Sequence, residues 1–281
     1  MAFWRYGSLF LLLAISFLPC SASSQSRPPD VHFDPTPMDV VEAMLWRAGV
    51  TPEDVVYDLG CGDGRFVIMA AKKFGARGVG IDIDPARIKE SRENAEFAGV
   101  AERTRFIEGD LFQADIREAT VVTLYLLNDL NYQLRPKLFR ELRPGARVVS
   151  YTFDMADWEP DDRFQIRDRF VFYWVIPATV KGEWRLNLPL PGGEAQGLLT
   201  IHQKYQKIGG TLTILGQRLP MMNPHLLGDR LTFGIRPRLQ GSDVLMTFVG
   251  RVIGDRLEGT VESEEEPWRG TIPWKGERIK R

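Results

Sequence analysis

The sequence predicts an α/β chain: a mostly parallel sheet with helices on both faces, followed by a small antiparallel all-β domain. Two observations predict it. Between residues 36 and 177, short apolar runs alternate with segments of helical period, as successive βα units require. After about residue 178 the pattern changes to short alternating segments parted by glycine-containing turns, without a helical period. With 281 residues, 44% of them hydrophobic, the chain can bury one large core or two smaller ones.

The chain opens on a leader. Arg5 precedes an apolar run over residues 9–18, and Pro19-Cys-Ser-Ala-Ser-Ser24 follows, which is the order of a secretory signal. Residues 1–24 therefore read as a signal peptide or signal-anchor. The run is short for a spanning helix, which needs about 20 residues, so cleavage is the leading reading. Pro19 and Leu18 are poor neighbours for a lipidated Cys20. Residues 25–35 read as a linker, within a stretch over 21–37 that is rich in serine and proline. The leader predicts an exported, periplasmic or membrane-anchored protein.

The folded part follows in order. Thr36 as N-cap and Pro37 as first helical residue introduce Val40, Val41, Met44, Leu45 and Ala48 at helical spacing, ended by Gly49. Residues 55–58 read as a strand, 65–74 as a helix and 78–81 as a second strand. Asp84 caps a further helix with Pro85 at its first position and Gly99 past its end. Residues 104–108, 120–126 and 147–151 supply three more strands, with a helix over 130–142 interrupted near Pro136. Residues 164–169 and 170–177 form a closing antiparallel pair, which makes seven strands. Within 178–281 the strand-like segments are 182–188, 198–205, 211–215, 231–235, 244–249 and 268–274. Gly228-Asp-Arg-Leu231 recurs as Gly254-Asp-Arg-Leu257 in a hairpin context, so this part reads as a meander, a small barrel or half-barrel.

Charge narrows the function. Lys plus Arg total 36 against 37 for Asp plus Glu, so nothing in the overall charge attracts nucleic acid or anionic lipid, and no nucleic-acid partner is expected. Cys20, Cys61 and the scattered His32, His202 and His225 have neither disulfide nor metal-ligand spacing, and no metal is expected.

The informative motif is Asp58-Leu-Gly-Cys-Gly-Asp-Gly64, a strand running through a glycine loop into a helix. Gly60, Gly62 and Gly64 let the backbone approach a ligand, and Asp58 stands at the strand end. A dinucleotide loop, G-x-G-x-x-G from Gly60, would need glycine where Arg65 stands, so the spacing favours S-adenosylmethionine (SAM) over NAD. Asp82 ends the second strand, placed for both ribose hydroxyls of a nucleoside. Asp110 follows the third, with Leu111 beside it, placed for the adenine amine. Singly, Asp82 reads equally as a solvated strand-end acid and Asp110 as a turn residue; jointly, at these intervals, they mark a SAM site. The sheet then reads as the Rossmann-like seven-stranded sheet of a class I SAM-dependent methyltransferase.

A closer resemblance rests on Phe33-Asp-Pro-Thr36, Asp63-Gly-Arg-Phe-Val-Ile-Met-Ala-Ala-Lys-Lys73, Gly109-Asp-Leu-Phe112, Ala119-Thr-Val-Val122 and Asp157-Trp-Glu-Pro160. Over residues 32–160 the chain resembles the mitochondrial lysine methyltransferases acting on the ATP synthase c subunit and the adenine nucleotide translocase, with their bacterial relatives. The resemblance implies methylation of a target lysine on a protein substrate, with Asp110 and the residues before the first helix lining the SAM pocket. Asp34 departs from it, standing where the family tends to be apolar, as does Tyr125-Leu-Leu-Asn128 after the fourth strand. Tyr125 and Asn128 are candidates for the substrate mouth, Tyr125 reading either as a cation-π partner or as a core tyrosine. Trp158 reads either as a gate or as packing at the sheet edge. A small-molecule or lipid acceptor, and a non-catalytic SAM-binding module whose β-domain engages a partner, stand as alternatives. The leader implies membrane or envelope association, in tension with a cofactor made in the cytosol.

Overall fold

The protein, described from a computed structural model, is seen at residues 28, 31–190, 193–266 and 268–280. The leader at 1–24 and residues 25–27, 29 and 30 of the linker at 25–35 lie outside the described residues. No described helix is long and apolar enough to cross a membrane.

The first sheet comprises β1 (Val55–Leu59), β2 (Arg77–Asp82), β3 (Thr104–Glu108), β4 (Val121–Leu124), β5 (Arg147–Tyr151), β6 (Asp162–Ile166) and β7 (Arg169–Val175). Their order is β3-β2-β1-β4-β5-β7-β6, with β1 to β5 parallel and β7 antiparallel to both its neighbours. This is the seven-stranded sheet with a closing antiparallel pair. The chain reverses direction across the sheet between β1 and β4, and parallel sheets bind ligands beyond the strand ends at such a switch point.

β1 is buried throughout and alternates between two cores. Val56 joins the apolar stripe of α1 (Met38–Arg47) and α2 (Arg65–Phe74), while Tyr57 and Leu59 pack with Leu134 and Leu138 of α4 (Asn128–Glu141) on the opposite face. α3 (Pro85–Phe97) extends the first helical layer beside α2. Its start is as the sequence dictates: Asp84 accepts the Ala86 N–H at 2.8 Å with Pro85 at the first helical position.

Two local expectations are corrected. α1 begins at Met38 with Pro37, not Thr36, at the N-cap. The Pro37 carbonyl opens the helical ladder, accepting from Val40 and Val41 at 3.0 Å, while the Thr36 carbonyl accepts from Arg65. α4 is not interrupted at Pro136 and starts two residues earlier than expected. Pro136 sits on the exposed side of that helix, where water can take the carbonyl its ring frees.

The remaining strands are β8 (Gly182–Leu190), β9 (Gly193–Lys204), β10 (Lys207–Ile214), β11 (Gln217–Pro220), β12 (Met222–Leu227), β13 (Arg230–Ile235), the short pair β14 (Arg238–Leu239) and β15 (Ser242–Asp243), β16 (Met246–Ile253), β17 (Arg256–Ser263) and β18 (Gly270–Lys280). Nine of them form an antiparallel sheet in the order β11-β10-β9-β8-β18-β17-β16-β13-β12. The first strand of this unit pairs with the last, and the two edge strands, β11 and β12, are consecutive in the chain, so the sheet curls into a nearly closed barrel. Both glycine-aspartate repeats are hairpin turns, between β12 and β13 and between β16 and β17. Side chains fill the interior: Trp184, Trp274, Phe233 and Phe248 are fully buried, with the two phenylalanine rings stacked at 4.7 Å. The Arg278 guanidinium of β18 lies 3.9 Å over the Trp184 ring of β8, joining first and last strands.

The barrel meets the first unit through the β9–β10 turn. Tyr205 stacks on Phe139 of α4 at 5.6 Å, and Gln206 accepts the Trp158 indole N–H at 2.9 Å. Asp157 bridges Arg135 of α4 to Lys204 of β9. Trp158 is fully buried between Phe139 and Trp174. Of its two readings, packing is therefore the one the fold realises.

Candidate active site

The loop after β1 is built by backbone geometry. Gly60, Gly62 and Gly64 take φ of 85°, 52° and 81°, the left-handed region where a Cβ is strained. Gly60 and Cys61 both donate to the Ile81 carbonyl, at 2.8 and 3.0 Å, which ties the loop to β2. The Asp82 carboxylate accepts the Gly62 N–H at 2.8 Å through one oxygen and the Asp84 N–H at 3.0 Å through the other. Asp82 thus organises the loop as well as facing the cleft in front of it.

The cleft has a volume of about 500 Å³ and runs along the ends of the parallel strands. Asp110 and Leu111 stand beyond β3, Asp82 at β2, Asp58, Gly60 and Cys61 at β1, and Tyr125 beyond β4. At about 4.8 Å per strand spacing, the floor from β3 to β4 is about 14 Å wide, long enough for an extended nucleoside. Leu126 and Leu130 close the β4 end. Six aspartates and two arginines, Arg65 and Arg87, line the cleft. An acidic cleft of this kind favours a cationic ligand and disfavours a pyrophosphate.

Two of the three glycines serve the loop without lining the cleft. A Cβ on Gly62 would come within 2.2 Å of the Phe33 ring, which lies over it with the Arg87 guanidinium 4.6 Å from its centre. A Cβ on Gly64 would meet Phe106 and Ser91 at 2.8 Å; that glycine lets α2 begin tightly against α3 and β3. The segment from Val31 to Thr36 is a strap lining the cleft, so the residues assigned to a linker at 25–35 end in part of the site. Sequence reasoning missed Phe33 as a partner of the loop, because nothing in its own segment marks a ring destined for a glycine thirty residues away.

Asp58 is 4% exposed and accepts the Thr123 hydroxyl of β4 at 2.7 Å, the two residues being direct neighbours in the β1–β4 register. Burial pushes its carboxyl up to about 8; the Asp82 and Asp63 charges add to this and the Thr123 hydrogen bond opposes it. Asp58 is therefore largely neutral at pH 7 until a positive charge arrives. Asp110 accepts the Phe112 N–H at 2.9 Å, which turns the chain sharply after β3.

At the β4 end, the Tyr125 hydroxyl donates to Asp34 at 2.8 Å and accepts from Arg169 of β7 at 2.7 Å. Its ring meets Tyr151 at 4.9 Å and Phe153 at 6.1 Å. Burial and the Asp34 carboxylate raise the phenol above the ordinary tyrosine range, so it remains a donor at neutral pH. Tyr125 is thus in the cleft wall and packed against aromatics at once. Asn128 is different: it is exposed at the start of α4 and does not line the cleft, because the helix turns it outward and offers Leu130 instead. Three residues on, Asn131 is fully buried and its amide donates to Ser150 and to the Phe153 and Asp154 carbonyls, holding the loop after β5 in which Thr152 takes a φ of 70°. No metal-binding cluster of His, Cys, Asp or Glu occurs among the described residues.

Comparison with known proteins agrees with this geometry. A family described as the ANTKMT methyltransferase domain matches residues 58–162. The chain is similar to a protein-lysine N-methyltransferase of Saccharolobus islandicus, 48% identical over 141 residues, which are 50% of this chain and 88% of that protein. It is also similar to the human lysine N-methyltransferase of the ATP synthase c subunit, 38% identical over 123 residues, 44% of this chain and 50% of that protein. Among solved structures, an RNA methyltransferase from Salinibacter ruber in complex with S-adenosyl-L-homocysteine is 55% identical, with a TM-score of 0.52, covering 52% of this chain and 96% of that one. None of these matches extends over the whole chain: each covers about half of it or less, and the chain spans about half the length of the human relative.

Proposed function

Because the chain belongs to the methyltransferase family of that archaeal protein-lysine N-methyltransferase and uses SAM as methyl donor, we propose that it methylates the ε-amine of a lysine on a protein substrate. The observation that carries the proposal is the cleft itself, an acidic groove with carboxylates at the β2 and β3 ends and, at β4, an end walled by Tyr125, Leu126 and Leu130 with the exposed Asp34 beside them. Asp82 and Asp110 suit the ribose and adenine, and Gly60 with the loop backbone suits the methionine portion, which leaves the β4 end for the acceptor. The donor supplies an activated methyl group whose transfer is an in-line displacement at carbon.

The chain's own residues have little chemistry to add. They align the acceptor, which can supply about 7–11 kcal/mol of rate acceleration. They also exclude water: Leu126, Leu130 and the Tyr125 side chain wall the β4 end, and desolvation there favours the neutral amine, so the acceptor can lose its proton without a dedicated base. Lysine as acceptor is supported by the names of the archaeal and human relatives; RNA is the second reading, supported by the name of the Salinibacter protein. Incubating the protein with methyl-labelled SAM and a fractionated lysate separates them. Label on lysine in the protein fraction supports the proposal; label in RNA, or only in an organic-soluble fraction, refutes it. From the leader we further propose export or anchoring at a membrane, which a topology reporter at the C-terminus tests.

A further inference from the structure

We propose that Asp34 is the docking carboxylate for the acceptor's ammonium group, held in place by Tyr125 and Arg169; this rests on the lysine reading of the same site. Asp34 lines the cleft at the β4 end, away from the ribose and adenine acids at β2 and β3. Its backbone is fixed on both sides. Phe33 is pressed between Gly62 and Arg87, and the Thr36 carbonyl accepts from Arg65, so the strap cannot carry the carboxylate elsewhere without breaking contacts with the cofactor loop.

The side chain is fixed as well. Its Oδ2 accepts the Tyr125 hydroxyl at 2.8 Å, and Arg169 donates to the same hydroxyl at 2.7 Å. Arg169 also lies over the Tyr151 ring at 5.8 Å, so its guanidinium is engaged by the hydroxyl and the ring and makes no ion pair with Asp34. Among the described residues no ion pair is made by Asp34, and its Oδ1 is left free on an exposed side chain. A carboxylate with no direct ion-pair partner, held by a tyrosine at the mouth of an acidic cleft, is suited to a mobile positive group arriving from solvent.

The chemistry of the acceptor requires two environments in succession. A lysine arrives charged and needs a carboxylate; it reacts neutral and needs an apolar wall. Asp34 provides the first at the surface, and Tyr125, Leu126 and Leu130 provide the second just inside. Between the two, the ammonium gives its proton to solvent. The amine lone pair then forms the new N–C bond, the carbon–sulfur bond breaks with its electrons going to sulfur, and the methylated nitrogen, cationic again, returns toward Asp34. Because the product keeps its charge, the same carboxylate can hold it for a further round.

The test uses the full chain loaded with S-adenosyl-L-homocysteine, titrated by NMR with a Gly-Gly-Lys-Gly-Gly peptide and with the same peptide carrying norleucine, which keeps the stem and removes the charge. The lysine peptide is expected to perturb Tyr125 and the strap. Asp34→Asn should weaken its binding about five- to tenfold while leaving affinity for S-adenosyl-L-homocysteine within about twofold, and Asp34→Glu should recover part of the loss. The norleucine peptide should bind as weakly to wild type as the lysine peptide does to the Asn variant. No perturbation by the lysine peptide, equal binding of the two peptides, or an Asn variant that binds the lysine peptide as wild type does, each overturns the proposal. So does an equal loss of cofactor affinity in the Asn variant, which would make Asp34 a strap residue only. Lysine methylation that persists unchanged in Asp34→Asn would sink this inference and leave the function standing; methyl label appearing on RNA would sink the lysine reading itself, and the acceptor-docking role with it.

Discussion

Asp58 offers a quantitative test of how the cleft receives its cofactor. The carboxyl is buried, with a pKa near 8 against an ordinary 3.8, so the folded protein binds a proton there that the unfolded chain releases. The sign follows directly: this group's contribution to stability is full below about pH 4 and is lost as pH rises toward 8. A ligand bearing a sulfonium and an ammonium reverses the preference, because a nearby positive charge favours the carboxylate. At pH 7 a group with a pKa of 8 is about 90% protonated, so binding that ionises it should release about 0.9 proton. The accompanying cost is about 1.4 kcal/mol at pH 7, so SAM affinity should rise up to about tenfold per pH unit from 6 to 8 and then level off. Calorimetry in buffers of different ionisation enthalpy reads the proton directly. Asp58→Asn should abolish both the release and the pH slope. A release near zero in the wild type, or an equal release in the Asn variant, would refute the reasoning.

Other parts of the structure make separate predictions. Gly62→Ala introduces a Cβ where φ is 52° and the Phe33 ring lies within 2.2 Å, so stability should fall by about 2 kcal/mol in denaturant melts and the strap should become protease-sensitive. Asp54 is buried and, despite that burial, is held below the ordinary carboxylate range by hydrogen bonds from Thr120 and Thr51 and by Arg147. Its stabilisation is present above about pH 4 and lost below its lowered pKa; Asp54→Asn should cost about 3 kcal/mol at pH 7 and flatten the acid limb of a stability profile. Trp158→Ala removes a fully buried indole and its bond to Gln206, so it should cost about 3–5 kcal/mol with little change in SAM affinity. The opposite pattern, cofactor affinity lost at unchanged stability, would restore the gate.

Much of this architecture is legible in the chain because it is encoded locally. β1 and β5 are buried strands built on Val55-Val-Tyr57 and Val148-Val149, α2 follows its glycine loop, and Asp84 with Pro85 announces α3 within three residues. The acids at positions 58, 82 and 110 are legible for the same reason: each stands at or just after a strand end, and parallel strands bring their ends together. Less legible are elements with a weak or broken period. β17 carries only two apolar inward residues, Leu257 and Val261, with Gly259 between, and β12 contains Pro224 and a register shift between Met222 and His225. Least legible are contacts between distant segments. Arg169 reaches Tyr125 from 44 residues away, and Gln206 holds Trp158 across the two sheets. Tyr125 can be named as a candidate from its place after β4, but its hydrogen-bond partners, and the outward turn of Asn128, depend on how α4, the strap and β7 pack.

The most direct test of the SAM site is a crystal structure of this chain with S-adenosyl-L-homocysteine, paired with cofactor affinities of the wild type and Asp82→Ala. The expected result is ribose hydroxyls on Asp82, the adenine amine facing Asp110, the sulfur toward Tyr125, and an affinity at least about tenfold weaker in the variant. A ligand lying elsewhere, or the same pose with Asp82 out of reach of the ribose and affinity unchanged in the variant, would contradict it.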